Sequence, residues 1–586
     1  MKPGAGSLIE ELKRRRVFRA LLGYGIAAFA VLQIIEPIMH GLHWPEEVLS
    51  YVVVALALGF PLVIGLAWTF DVNAGRALRT EPEPSRFAEG SAGRRRVPLL
   101  LTGLGLLAAA PGLVWYLVLR KPAAARPARD PAPSIAVLPL LNLSSDKEQE
   151  YFSDGLSEEL LNLLAQVPGL RVAARTSAFA FKGKNEDVSS IAQKLRVANI
   201  LEGSVRKSGD QIRITTQLIN AADGYHLWSE TYDRKLTDVF VVQDEIARAV
   251  VAALKLKLLQ PPTSRERSTG NTEAFNQYLL GKQFFHRNNV PDFQRAKSAF
   301  AKAVALDPGY APAWAGGSLA AFWVADSAES AAELNAGLER AFEEADKAVA
   351  LAPELPDGYL ARGFIRFPLR WDLEGARKDF ERALALKPDD PDALTEYAAV
   401  VLRARGQLPE AIAALRRASE FDPLNARIWS HLGNVLACDG QIAQAREAFS
   451  RSLEISPSQS YTPYNFAVTF LVEHRPAEAL AISQRSTTEV FRLVGEAEAQ
   501  YDLGNREAAQ RVLDFTINKW GHGGAYQIAQ VFAWRGDNSR ALDWLARAVL
   551  QRDGGLVNIK VDPLLRGLRG EARYKAVLRS MHLPED

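Results

Sequence analysis

Four groupings in this chain carry side chains that could do chemistry. His40 and His43 flank Gly41-Leu42, and two imidazoles that close could supply half of a tetrahedral metal shell. The competing reading is a pair of polar residues in a short loop. Ser153-Asp154-Gly155 sets a carboxylate ahead of an apolar helical pattern. It is either a catalytic acid on a turn or a helix cap with a permissive glycine, and the cap needs no chemistry. Trp228, Glu230 and Tyr232 alternate along a strand pattern, as an exposed aromatic ridge or as cross-strand packing pairs. Glu36 is ionisable, near the end of an apolar stretch.

Nothing else in the sequence has the spacing of a reaction centre. No G-x4-G-K-[ST] phosphate loop occurs, and Gly103-Leu104-Gly105 lies inside an apolar run. No G-x-S-x-G elbow and no H-E-x-x-H helix appear. The remaining histidines, His226, His286, His431, His474, His522 and His582, are scattered. A single cysteine, Cys438, excludes an internal disulfide and a cysteine-rich zinc site. A net charge of +2 over 586 residues argues against broad binding to nucleic acid. The chain therefore reads as non-enzymatic, with no catalytic residue, cofactor site or metal site assigned. Its length calls for more than one domain.

The elements that would position any site follow from a recurring block. Pro308, Pro353, Pro388, Pro423 and Pro457 each close a helical pattern, at intervals of 45, 35, 35 and 34 residues. The blocks before them read AKAVALDP, DKAVALAP, ERALALKP, RRASEFDP and RSLEISP. In Ala426–Pro457, Trp429, Leu432, Gly433 and Leu436 share one face of a first helix, with Gly433 leaving room for a close neighbour. Ala445 and Phe449 line the second helix, which Pro457 ends. Ala376, Phe380 and Pro388, and Ala411 and Pro423, hold the corresponding places in the two preceding units. This is similar to the W-x2-L-G-x2-Y…A-x3-F…P pattern of tetratricopeptide repeats, with Leu436 where Tyr is usual and Ser452 where Ala is usual. The resemblance covers residues 271–553 as about eight repeats and implies a helical solenoid with a concave surface. The long first interval implies an insertion of about ten residues around Trp323–Leu334. Residues 554–586 read as a closing segment whose last helix covers the final repeat.

Ahead of the repeats the chain is apolar, then mixed. Val17–Met39, Val48–Phe70 and Val97–Leu119 are each about the ~20 residues that a bilayer-crossing helix needs. They give the expectation of three transmembrane helices within 17–120, after a cytoplasmic segment 1–16. Basic residues number five before the first stretch, none in the first loop, six in the second loop and four after the third stretch. That asymmetry puts the N-terminus in the cytoplasm and the C-terminal bulk in the periplasm of a bacterial inner membrane. Residues 121–133 form a Pro/Ala-rich spacer.

Residues 134–259 alternate strand and helix patterns and then run strands together, a mixed α/β domain; residues 260–270 link it to the repeats. Strands are expected at Ile135–Leu140, Leu170–Ala174 and Tyr225–Tyr232, a hairpin around Ser208-Gly209-Asp210, and helices after Asp154, at Val188–Leu195 and at Phe240–Leu258. The segments SIAVLPLLNLSSDKEQEYFSDGLSEELLNLL and ILEGSVRKSGDQIRITTQLINAADGYHLWSETYDR resemble the amino-terminal domain of TolB and the FlgO family. The order of membrane segment, this domain and repeats resembles that of CadC-type sensors and proteins related to class III cyclases. The sixteen leading residues are too few for the DNA-binding or cyclase domain found there.

The expected function is a membrane-anchored scaffold or sensor that holds a protein or peptide in its repeat groove. The alternative is a transmembrane relay to a cytoplasmic regulator, and an enzyme with an unrecognised α/β active site is a third class.

Overall fold

The computed structural model describes residues 133–254, 269–328 and 330–585, with residues 70–73 and 76–79 and the single positions 24, 28, 29, 31 and 56. The chain divides into two compact units, Met1–Arg129 and Asp130–Asp586.

In the first unit the expectation of three membrane-crossing helices is corrected. Among the described residues no helix is long and apolar enough to cross a membrane. What is described at the end of the second apolar stretch is a hairpin, strand β1 (Phe70–Asn73) antiparallel to β2 (Arg76–Arg79). Four residues of extended chain span about 13 Å, well short of the ~30 Å hydrocarbon layer. The multi-pass inner-membrane placement and the bilayer as a partner fall with those helices. The stretches themselves, with His40, His43 and Glu36, otherwise lie outside the described residues.

The second unit begins with a sheet. Strands β3 (Ser134–Val137), β4 (Leu141–Asn142), β5 (Arg171–Val172), β6 (Asn199–Ser208), β7 (Gln211–Asn220) and β8 (His226–Lys235) are ordered β5-β3-β6-β7-β8, with β4 also on β6. β3 runs parallel to β5 and β6, and β6, β7 and β8 form an antiparallel meander. The β6–β7 register closes at Ser208↔Gln211, and Gly209 takes the positive φ of 61° that this two-residue turn requires. Helices α1 (Glu150–Ala165) and α4 (Val239–Ala253) cover one face; α2 (Arg175–Phe179) follows β5, and Ile191, Ala192 and Leu195 of α3 (Val188–Leu195) pack with Ala136 and Ile200 in a separate core.

The helix expected after Asp154 in fact starts at Glu150, so Asp154 lies inside α1 and caps nothing. Its carboxylate accepts the Lys182 ammonium at 2.6 Å. Gly155 serves a close approach instead of a turn: a Cβ there would meet Leu279 of the first repeat at 2.5 Å.

The repeats form eight consecutive helix pairs among the described residues. They are α5 (Thr272–Phe285) with α6 (Val290–Leu306), α7 (Ala311–Asp326) with α8 (Ala331–Leu351), and α9 (Pro356–Arg370) with α10 (Leu373–Leu386). Next come α11 (Pro391–Glu396) with α12 (Leu408–Phe421), α13 (Ala426–Cys438) with α14 (Ile442–Ile455), and α15 (Thr462–Leu471) with α16 (Pro476–Ser483). The last are α17 (Glu489–Asp502) with α18 (Arg506–Trp520), and α19 (Ala525–Trp534) with α20 (Asn538–Gln551). The long first interval is taken up by helix: α8 has 21 residues where α10 has 14. After the array, α21 (Ala572–Ser580) and the short turns before it bury Leu565, Leu568 and Tyr574 in one cluster with α19 and α20.

Two contacts join sheet and array. α1 packs on α5 in a common core that includes Leu156, Phe275 and Leu279. The turn between α12 and α13 then meets β5 and α2: Ala174 donates its N–H to the Phe421 carbonyl, and Leu424 packs with Phe181.

Candidate functional site

The repeat residues picked out in the sequence sit where the solenoid is packed. Leu432 and Leu436 are buried on α13, and Ala445 and Phe449 on α14. A Cβ on Gly433 would lie 2.7 Å from the Phe449 ring, so glycine permits the contact between those helices. Trp429 is half-buried and donates its indole N–H to the Pro423 carbonyl at 2.9 Å. Ala376, Phe380 and Ala411 are fully buried. Pro388, Pro423 and Pro457 follow the C-terminal residues Lys387, Asp422 and Ser456 of their helices. Ser452 uses the hydroxyl that distinguishes it from alanine to bond the Ala426 carbonyl at 2.7 Å. These residues hold the scaffold; none faces a ligand space.

In the α/β domain, Tyr232 is buried in the core, its hydroxyl bonded to exposed Glu230 at 3.0 Å, and Trp228 pairs across strands with Leu218. They are packing pairs. Cys438 is half-buried and free, and burial pushes its thiol up to about 12.

The space that could hold a ligand lies along the first helices. A cavity of about 560 Å³ is bounded by the first helices α7, α9, α11, α13, α15, α17 and α19, by Leu334 and Leu338 of the second helix α8, and by residues 552–558 beyond the last repeat. Curvature accumulated over the repeats brings those ends together: the Arg552 guanidinium bonds the Pro368 carbonyl at 2.9 Å and lies over Trp371. Asp553, also in the lining, fixes the turn after the last repeat by accepting the N–H groups of Tyr526 and Gly555.

One wall is aromatic. Phe322 meets Phe364 edge-on at 4.7 Å, and Phe367 meets Trp371 at 5.2 Å. Tyr464 and Phe491 stack on another side at 5.9 Å.

The polar wall comes from two neighbouring first helices. After Glu396 the helix widens into a π-helix, Tyr397–Leu402, which ends directly before Arg403. Arg403 is 7% exposed, and its guanidinium bonds the Ala399 carbonyl and the Asn434 side chain, each at 3.0 Å. No carboxylate among the described residues forms an ion pair with it. Burial lowers its pKa. Arg427, by contrast, is paired with Glu396. His431, one turn further along α13, is 8% exposed, and neither ring nitrogen has a hydrogen-bond partner. Burial, and then the charges of Arg427 and Arg403, hold it well below the usual imidazole range, so it is neutral.

Sequence reasoning missed this cluster. The signal was present: Glu396 and Arg403 are seven residues apart and Arg427 and His431 four apart, spacings that set each pair on one helical face.

Residues 399–438 match the family model for a TPR repeat and residues 372–418 that for a tetratricopeptide repeat. Residues 372–438 are thus tetratricopeptide repeats, within a solenoid of similar helix pairs. PilF of Pseudomonas aeruginosa is 19% identical, covering 38% of this chain and 96% of its own, with a TM-score of 0.30. YrrB, described as a TPR protein with an unusual peptide-binding site, is 21% identical over 37% of this chain and 98% of its own, with a TM-score of 0.25. A protein described as putative adenylate cyclase 3 of Rhizobium meliloti (strain 1021) is 43% identical over 202 residues, 34% of each chain. The chain thus matches about a third of that relative's length.

Proposed function

We propose that this tetratricopeptide-repeat protein is a scaffold that binds a protein partner along the first-helix side of its array. The observation that carries this reading is the side chains there: aromatic and charged groups from seven successive first helices face one common space, while the small residues Ala376, Ala411 and Ala445 are spent on helix packing. Large aromatics with arginine are the groups that anchor protein contacts. The sheet domain braces the array at its first repeat and at the α12–α13 turn, which keeps the curvature constant. The activity of the relative named a putative adenylate cyclase is not carried over by a third of its length.

A photo-crosslinking residue placed in the full chain at Val400, Asn465 or Phe491 tests the reading against one placed on second helices at Lys378 or Arg416. Discrete partner adducts from the first set alone are the expected result. Adducts from the second set alone, or from neither, would overturn it.

A further inference from the structure

The repeat cavity holds a buried cation without a carboxylate and a buried histidine without a hydrogen bond. Either is costly in isolation: an unpaired buried charge and an unsatisfied buried polar group each lose the water they gave up. Together, on neighbouring first helices, they form one polar end of a chamber whose other lining mixes aromatic rings with Asp326, Arg552, Asp553 and the amides of Asn465, Gln527 and Gln530. At that end Arg427 is paired with Glu396, and Arg403 has no paired carboxylate among the described residues; the rest of the lining adds Arg552, Asp326 and Asp553, the last two with carboxyls raised by burial.

We infer that this cavity binds a small organic carboxylate, with Arg403 and His431 taking the acid group and Phe364, Trp371 and Phe491 enclosing an apolar or aromatic body. A guanidinium offers the planar set of donors that a carboxylate accepts in pairs, and neutral His431 can give one N–H to the same group. The volume of about 560 Å³ falls within the ~300–1,000 Å³ of small-molecule sites. A free small acid is preferred to an extended peptide, because the segment after the last repeat joins the lining and Arg552 ties it to Pro368, which narrows the space. The inference concerns the same space between the first helices as the scaffold reading and gives it a small-molecule occupant; the two are read in separate experiments, so the crosslinking can fail while acid binding succeeds, or the reverse.

The test is isothermal titration of the full chain with indole-3-acetate, 3-phenylpropionate and octanoate, each beside its primary amide and beside a tetrapeptide ending in phenylalanine. The acids should bind, each at least about tenfold more tightly than its amide. R403M, close in length and apolar, should weaken acid binding by about tenfold or more and leave the amide unchanged. If that variant fails to fold, the acid–amide comparison in the unaltered protein decides alone. Equal binding of acid and amide, no binding of any acid, undiminished acid binding by folded R403M, or binding of the tetrapeptide alone would each overturn the inference.

Discussion

Ser177 and Asp422, 245 residues apart, share one hydrogen-bonded corner: the serine N–H and hydroxyl both donate to Asp422 Oδ1, at 2.9 and 2.5 Å. The same hydroxyl accepts the N–H of Leu424 at 2.8 Å, and the other carboxylate oxygen takes the Asn425 amide. Both residues are buried, so removing the carboxylate leaves several donors unsatisfied. Asp422→Ala should cost about 1–3 kcal/mol in chemical denaturation. In a double-mutant cycle with Ser177→Ala, a coupling near zero would show that the corner does not hold sheet to array.

A second junction is ionic. Glu158 of α1 meets Lys282 at 2.6 Å and Arg175 at 2.9 Å, with His286 Nε2 at 3.4 Å. Burial alone would raise Glu158, but Lys282 and Arg175 outweigh it and hold its carboxyl well below the usual range. Burial, then Arg175, lowers His286 from 6.5 to about 4. Both folded pKa values are depressed, so the folded state binds fewer protons than the unfolded state. Stability should therefore fall as pH drops from about 6.5 to 4 through His286, and further below about 4.5 through Glu158. Unfolding free energies measured between pH 4 and 8 check this. His286→Gln should flatten the part of the curve between 6.5 and 4.

Glu344 on α8 works in the opposite sense. Burial raises its carboxyl from 4.5 to about 7. The folded state thus holds the proton more tightly, and stability is lost as pH rises from about 4.5 through 7. Glu344→Gln should raise the melting temperature at pH 8 and leave it nearly unchanged at pH 4.5. A lower value at pH 8 would contradict the sign.

Gly433 tests the packing of the fifth repeat. A methyl group at this position would lie 2.7 Å from the Phe449 ring, so Gly433→Ala must push the α13–α14 pair apart. The expected cost in chemical denaturation is about 1–3 kcal/mol. Gly440→Ala has open space around it but a φ of +80°, so its smaller cost, about 1 kcal/mol, should come from backbone strain.

What the amino-acid sequence determined by itself is local. Proline at intervals near 35 residues, with Ala and Phe at set distances before it, specifies helix pairs because periodicity and helix termination act over a few residues. The β6–β7 hairpin was equally legible, since Gly209 sits between two alternating runs. The tertiary structure decided everything that depends on distant parts meeting. Asp422 reads as the residue before the proline that closes a repeat block, and only the tertiary fold brings it to Ser177. Gly155 reads as a turn residue until Leu279 arrives against it. Arg403, His431 and Trp371 belong to three successive repeats and line one space because the first helices stack side by side, while Arg552 from beyond the eighth pair reaches Pro368 of the third. The apolar stretches before residue 120 show the limit of a local pattern: hydropathy counts residues, but crossing a bilayer needs a continuous apolar helix, and no helix both long and apolar enough is found among the described residues.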